Sequence, residues 1–367
     1  MGLRKRNQVM KIAFVDLGRH YGGVENYILS LTKAWKEAGN ECVILCRKDS
    51  ALHHKLLQEG FAEETVPVEF RLESIRETKR RMKEEHIELF HINGINSGVF
   101  VNLLHLPVKQ VTTVHGNAMY DRIDKNILIQ KLFVWLENTC LKRSHGIISV
   151  SASIKDLLVK RGIDISKIAV IYNGIEAIEY DLEKRDVTNT FRMCFVGRLE
   201  KVKGCEYLIR ALAKIKNSDY ICDIYGEGSL REELEQLAGE LGIDNKVCFK
   251  GFSDEIRSNL NQYDVLVQPS LFEAFPLALL EAMNARVLIV CSDIGGMREI
   301  VKDGENGLKF EVGNIEELAE KMVWAMKHKD QVSAMKEKAF SRFHKEYKKE
   351  VMYENTFRLL ERVYDEI

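Results

Sequence analysis

Two glutamates eight positions apart, Glu273 and Glu281, bracket the stretch Phe275-Pro276-Leu277-Ala278. Proline is at home in the first turn of a helix, where its missing N–H is not needed, so Pro276 predicts a helix over about 276–284. Glu273 then falls in the loop ahead of that helix and Glu281 in its second turn. Between them, the amides around Leu277 and Ala278 form a helix N-terminus, which attracts phosphate through its free N–H groups and its dipole. A rise of about 1.5 Å per residue puts the carboxylates at most about 12 Å apart. That span lets one acid hold a sugar and the other a ribose, with a diphosphate between. Two acids at this spacing on a solvated helix face would read the same by themselves.

A second cluster changes the weighting. Gly197-Arg198-Leu199-Glu200-Lys201-Val202-Lys203-Gly204 follows an apolar strand and leads into a helix. The helix dipole disfavours cations at that end, so Arg198 and Lys203 read as a diphosphate clamp. Each charge-assisted contact of this kind contributes about 1.5–3 kcal/mol. In the first half, Gly22-Gly23 offers bare backbone ahead of a helix, which either admits an anionic group or makes a plain tight turn. The same loop excludes a dinucleotide-binding fingerprint, because Gly18, Gly22 and Gly23 do not have the G-x-G-x-x-G spacing. No Walker A motif occurs. No D-x-D is present to anchor a metal-bound diphosphate, and no His/Cys cluster suggests zinc. The expected set of metals and cofactors is therefore empty.

The elements that must position these groups alternate. Strands are expected at 11–17, 41–47, 88–93, 108–116, 145–151 and 167–174, with helices near 24–38, 50–59, 71–86, 124–142 and 152–161 between them. The pattern restarts with strands at 191–199, 220–226, 246–251, 264–270, 287–292 and 306–312, and helices at 204–216, 229–241, 276–284 and 295–302. Helices at 314–327 and 329–367 close the chain. Strand–helix alternation implies parallel strands joined by crossover helices. The expected architecture is α/β, two Rossmann-like doubly wound domains facing across a cleft. Residues 1–180 make one and 181–345 the other, with the charged stretch 180–190 as linker and the helix at about 345–367 returning to the first. Ligands belong at the carboxyl ends of such strands.

Taken in order, Gly22-Gly23-Val24-Glu25, His115-Gly116, Asn173-Gly174, Gly197 to Gly204, Gly226-Glu227-Gly228, Glu273 to Glu281 and Asp293-Ile294-Gly295-Gly296 resemble a family-4 retaining glycosyltransferase of the GT-B fold ("glycosyl transferases group 1"). The resemblance runs from about 22 to 308. It implies that Arg198 and Lys203 bind the donor diphosphate and offset charge on the leaving nucleotide. Glu281 takes the ribose hydroxyls, and Glu273 the hydroxyls of the transferred sugar. Gly197, Gly226, Phe275, Pro276 and Leu277 present backbone around the donor, and Gly22 and Gly23 approach its phosphate from the first domain. His115, after the strand VTTVH, matches a histidine near the transferred sugar and the acceptor; a hydrogen-bonded core histidine is the alternative. His115, Arg198, Lys203 and Glu273 are the implied catalytic set. Three departures are visible: Ala274 stands where Gly is usual, Asn284-Ala285-Arg286-Val287 lacks the common Gly and Pro, and Met297-Arg298 replaces a usual Ile/Val-Pro.

Composition sets the outer bounds. The 367 residues carry 54 Lys+Arg against 55 Asp+Glu, 46 % hydrophobic residues and four Pro. That balance excludes a disordered chain and gives no footprint for nucleic-acid binding. Residues 1–180 hold 26 basic and 21 acidic side chains and residues 181–367 hold 28 and 34, so the first half is mildly basic, which suits either ordinary surface variation or an anionic membrane surface. Eight scattered Cys, most in apolar runs such as those of Cys222 and Cys248, predict buried free thiols and a reducing compartment. No run is apolar enough to span a bilayer. The first residues lack a signal-peptide core, and Met10 is a candidate initiator. The helix near 124–142 mixes Ile127, Ile129, Leu132, Phe133, Trp135 and Leu136 with Lys, which suits either core packing or a membrane surface at the inner face of a cytoplasmic membrane. The resulting expectation is transfer of a hexose or N-acetylhexosamine from a nucleotide sugar, UDP favoured, to a glycan or lipid-linked glycan in cell-surface polysaccharide synthesis. An epimerase or hydrolase of the same fold, and a non-catalytic nucleotide-sugar binder, are the rival classes.

Overall fold

The computed structural model describes residues 9–18, 23–117, 126–181, 190–253 and 255–365. The chain divides into two compact units, Met1–Tyr172 with Glu350–Ile367, and Asn173–Lys349.

The first unit is a seven-stranded parallel sheet of order β3-β2-β1-β4-β5-β6-β7. Its strands are β1 Lys11–Asp16, β2 Glu41–Arg47, β3 Thr65–Val68, β4 Leu89–Asn93, β5 Lys109–Val114, β6 Gly146–Ser149 and β7 Ile168–Val170. Its helices are α1 Gly23–Glu37, α2 Ala51–Gln58, α3 Leu72–Glu84, α4 Ile95–Leu104, α5 Ile127–Arg143 and α6 Ala152–Lys160. The second unit is a six-stranded parallel sheet of order β10-β9-β8-β11-β12-β13. It is built from β8 Phe191–Val196, β9 Tyr220–Tyr225, β10 Val247–Gly251, β11 Val265–Gln268, β12 Leu288–Ser292 and β13 Leu308–Phe310. Its helices are α7 Cys205–Lys214, α8 Arg231–Glu240, α9 Ile256–Asn259, α10 Leu277–Asn284, α11 Met297–Ile300, α12 Ile315–Lys327 and α13 Lys329–Glu346; α14, Lys349–Asp365, follows. Both sheets bury near-continuous apolar strands, as parallel sheets covered on two faces must.

Three of these elements, β3, α4 and the one-turn α9, have no counterpart among the sequence expectations. Strand β3 (TVPV) carries Pro67, which cannot donate to a ladder and is tolerated because β3 is an edge. Helix α4 (INSGVFVNLL) is apolar around most of its circumference, so it lacks the 3.6-residue stripe that announces a surface helix. It is held close to α5, where a Cβ on Gly98 would meet Cys140 Sγ at 3.1 Å.

The long helix expected over 329–367 is broken at Tyr347–Lys348. There Ile175 N–H donates to the Tyr347 carbonyl (3.0 Å) and Lys349 N–H donates to the Ile175 carbonyl (2.9 Å), which diverts the backbone groups that would continue the helix. Beyond the break, α14 lies in the core of the first unit. Phe357 stacks edge-on against Trp35 with centroids 4.9 Å apart, and Tyr353, Leu360 and Val363 join the same cluster.

Helix α5 is turned inside out relative to a core-packing reading. Ile127, Leu128, Ile129, Leu132 and Trp135 are exposed, Leu128 at 71 % and Trp135 at 61 %, while Gln130 and Glu137 are buried. Glu137 faces inward because Arg161 meets it there, Nη1 to Oε2 at 2.7 Å, while Arg161 Nη2 donates to Asn117 at 2.6 Å. The cysteines are all free, and all are buried except Cys248, which edge strand β10 turns outward, contrary to its apolar sequence setting. No described helix is long and apolar enough to cross a membrane.

Phe357→Ala should cost about 3–5 kcal/mol in urea denaturation, because it opens a cavity against the fully buried Trp35. A loss below about 1 kcal/mol would show that α14 is peripheral to that core.

Candidate functional site

In each unit the strand order reverses beside the first strand, between β1 and β4 and between β8 and β11. Loops leaving such neighbouring strands run to opposite faces and leave an opening at their carboxyl ends. The polar residues singled out from the sequence fall at these two places, and each unit holds its own set.

In the second unit, Gly197 and Arg198 follow β8, and Lys203 closes a 3-10 turn over Lys201–Lys203 ahead of α7. The segment Pro269–Pro276 follows β11. Leu271 N–H donates to the Val202 carbonyl at 2.8 Å, which ties the two loops together. Across that tie Lys203 Nζ meets Glu273 Oε1 at 2.6 Å. The same Glu273 oxygen accepts Ser270 Oγ–H at 3.0 Å, and Ser270 Oγ accepts from Gln268 Nε2 at 3.0 Å. Glu273 is buried and its backbone is pinned as well, because its carbonyl accepts Gly296 N–H at 3.1 Å. Only glycines admit that approach: Gly295 has φ +42°, with a virtual Cβ 2.2 Å from the Glu273 carbonyl oxygen, and one on Gly296 would stand 1.9 Å from that of Ala274. Arg198 is exposed and makes no ion pair among the described residues.

Gly226 sits at φ +134°, and a Cβ there would lie 1.9 Å from the Gly197 carbonyl oxygen. Its smallness lets the loop after β9 clasp the Arg198 loop, with Leu199 N–H donating to the Glu227 carbonyl at 2.9 Å. Pro276 does not enter the helix: at φ −75°, ψ 123° it is the N-cap of α10, one position earlier than expected, and Leu277 is the first helical residue. The N–H groups of Leu277 and Ala278 have no acceptor within the helix. Phe275 packs edge-on against Tyr347 at 5.7 Å, so its ring belongs to the core.

Glu281 lies half-buried in the second turn of α10, with Arg257 Nε 3.7 Å from its Oε1. Burial raises the Glu281 carboxyl above its ordinary value and Arg257 opposes that rise. Arg257 was not visible as a site residue, since nothing in IRSNLNQ sets it apart. It is fixed by Nη2 donating to the Glu176 carbonyl at 3.0 Å and by Tyr180 Oη donating to its own carbonyl at 2.5 Å. The glycine-free stretch 284–287 turns through Arg286 at φ +52°, and that side chain is held by Glu337 (2.8 Å) and by stacking 3.5 Å over Phe340.

In the first unit, Gly23 begins α1, and Gly22 lies outside the described residues. His115 follows β5; its Nε2 donates to Asn93 Oδ1 at 2.9 Å and its ring lies edge-on to Tyr27 at 4.9 Å. Burial lowers its pKa to about 4, so the imidazole is neutral at physiological pH. His115 borders a cavity of about 260 Å³ that Asp16, Glu25, Asn93 and Glu137 also line. Asp16 is pushed up to about 7, first by burial and then by the Glu25 carboxylate, against a lowering hydrogen bond from Gly18 N–H. Sequence reading passed over Asp16 and Asn93 because each ends a strand with no motif around it. Away from this cavity, the described residues bring three potential metal ligands together at Asp49, His53 and His54, where His53 Nδ1 already accepts Asp49 N–H at 3.2 Å.

Against known proteins, residues 21–178 match the family model Glycosyltransferase Family 4, and residues 179–342 match Glycosyl transferases group 1. Between them the two models take in most of the chain, and the two Rossmann-like sheets are the pair of domains that defines the GT-B class. The chain belongs to this glycosyltransferase family. An uncharacterized glycosyltransferase of Methanocaldococcus jannaschii is 38 % identical over 183 residues, 45 % of this chain and 46 % of its own length. The chain thus spans about half of that relative. The UDP-Gal:alpha-D-GlcNAc-diphosphoundecaprenol alpha-1,3-galactosyltransferase of Escherichia coli is 25 % identical over 348 residues, 88 % of this chain and 89 % of that one. The crystal structure of HepE from Anabaena in complex with UDP superimposes with a TM-score of 0.84, at 20 % identity over 96 % of this chain and 100 % of that one, a likeness of fold.

Lys203→Ala should destabilise the second unit by about 3 kcal/mol in urea denaturation, because it leaves the buried Glu273 carboxylate without its cation. Adding Glu273→Gln to Lys203→Ala should recover a large part of that loss; additive losses would show that the pair is uncoupled.

Proposed function

We propose that this chain is a retaining, metal-independent glycosyltransferase that moves a hexose or N-acetylhexosamine from a nucleotide sugar, with UDP favoured as the carrier, to a glycan or lipid-linked glycan. The observation that carries the reading is the Lys203–Glu273 pair, which joins the loop after β8, the one that carries Arg198, to the loop that leads into the N-terminus of α10. A buried carboxylate next to cations and a helix N-terminus suits a diphosphate joined to a hydroxyl-rich group. In this reading Arg198 and Lys203 hold the diphosphate and stabilise the leaving nucleotide, so fixed protein cations do the work a metal does elsewhere. Glu273 orients the transferred sugar, and Glu281, steadied by Arg257, takes the ribose. Gly197, Gly226, Phe275, Pro276 and Leu277 shape the donor site through backbone. Gly22, Gly23 and His115 belong to the first unit's share of the reaction, with His115 offering a neutral imidazole. Retention of configuration follows from the likeness of the Glu273–Glu281 segment to its family, and catalysis is by positioning and electrostatics.

Thermal shift against UDP, GDP, ADP, NAD and the common UDP- and GDP-sugars tests the donor. A bound nucleotide at about 100 times its Kd stabilises by about 2.7 kcal/mol. UDP and one UDP-sugar should raise Tm, and Glu281→Ala should lose most of that rise while keeping the unliganded Tm. Stabilisation by NAD alone would overturn the proposal. Conversion of the donor to an epimer without acceptor would move it to the rival class.

The exposed apolar face of α5, with Lys131, Lys142 and Arg143 on the same helix, supports contact with the inner face of a cytoplasmic membrane, where a lipid-linked acceptor resides. The E. coli relative is named for a diphosphoundecaprenol acceptor. The protein should co-sediment with vesicles containing an anionic lipid, and Leu128→Ser with Trp135→Ser should reduce binding by about tenfold. Equal binding by the variant would remove α5 from the contact.

A further inference from the structure

Asp16 and Asn93 end the neighbouring strands β1 and β4 and are direct partners in the ladder. Both are buried, at 4 % and 0 % exposure. Asp16 Oδ1 accepts Gly18 N–H at 3.0 Å, and Asn93 Oδ1 accepts from His115 Nε2 at 2.9 Å. That leaves Asp16 Oδ2 and Asn93 Nδ2, both almost closed to solvent, with no hydrogen-bond partner among the described residues. Both residues line the cavity, whose volume of about 260 Å³ is far above the ~10–15 Å³ that one water needs.

A bare acceptor beside a bare donor selects its ligand. A cation would satisfy Asp16 and be opposed by the Asn93 N–H. A phosphate would satisfy Asn93 and be repelled by Asp16 and Glu25. A hydroxyl does both, because it donates its hydrogen and accepts another in one group. We propose that Asp16 and Asn93 together seat a hydroxyl of the acceptor sugar, Asp16 accepting its O–H and Asn93 donating to its oxygen. This rests on the glycosyltransferase reading and extends it to the acceptor.

The electrostatic setting agrees. Asp16 faces Glu25 from α1 and Cys46 from β2, with His115 after β5 and Glu137 of α5 on the cavity wall, and no described Lys or Arg pairs with it. Its pKa of about 7, above the ordinary 3.8, means that folding prefers the protonated form. Its effect on stability is therefore fully favourable at acid pH and is lost as pH rises through about 7. A side chain that weakens the fold at working pH is one that binding retains.

The test uses the full chain and Asp16→Asn, with Asp16→Ala as the second variant. Saturation-transfer NMR with the methyl glycosides of glucose, galactose and N-acetylglucosamine should show contact for the wild type and its loss in both variants. In transfer assays the acceptor KM should rise about tenfold or more in each. UDP should shift Tm equally in all three, since the second unit is untouched. Asp16→Asn should also raise Tm at about pH 8 and leave it unchanged at about pH 4. Undiminished glycoside contact in the variants overturns the proposal. So does a wild type that contacts no glycoside, the result expected of a water-filled cavity only. So does Asp16→Asn melting below the wild type at about pH 8. A wild type that binds glycosides but no nucleotide sinks the donor reading alone.

Discussion

The constraint on which the rest depends is topological. A right-handed crossover obliges consecutive parallel strands to be laid down on one side of the first, and when the chain returns to fill the other side the order reverses. In both units this happens beside the opening strand, so the loops after β1 and β4, and after β8 and β11, diverge. The backbone at that seam cannot be covered by a crossover helix. Polar side chains gathered there are held by other loops rather than by the sheet, which is why so many of the contacts around Glu273 and Arg198 run between turns. Glycine enters where those turns must touch: Gly226 under Gly197, and Gly295 and Gly296 under Glu273 and Ala274.

The two seams solve the cost of buried polarity differently. In the second unit one oxygen of Glu273, Oε1, is held by both Lys203 and Ser270, and its backbone is pinned by the Gly296 amide. Such a carboxylate is rigid, and its orientation is set before anything binds. In the first unit Asp16 has, among the described residues, a single donor and a neighbouring carboxylate, and Asn93 spends one end on His115. A satisfied network specifies geometry, whereas an incomplete one stores a need for a partner.

Much of this was legible in the sequence for a physical reason. Apolar strands buried on both faces are short uninterrupted runs, and amphipathic helices carry a 3.6-residue stripe, so the alternation and both sheets could be read directly. Local motifs that need special backbone, such as Gly197 to Gly204 and Glu273 to Glu281, were equally visible. What escaped depends on long-range pairing. β3 is a strand only because it lies on an edge that forgives Pro67, and α4 is helical although its apolar surface has no period. The break after α13 comes from Ile175, far away in the chain. Arg257 and the Asp16–Asn93 pair acquire meaning only from neighbours remote in sequence. The exposure of α5 was hidden because a buried Glu137 needs Arg161 to explain it.

The seating of α14 bears on how the molecule is made. The seven strands of the first unit all precede the second unit in the chain, yet Trp35 is covered by Phe357, and its core includes Tyr353, Leu360 and Val363. A ribosome therefore releases nearly every strand of that unit long before the helix that seals it. The second unit is one uninterrupted stretch, Asn173–Lys349, and can fold as soon as it has emerged. The order of completion is thus the reverse of the order of synthesis: the half that is translated first waits, with an aromatic face uncovered, for the last helix of the chain.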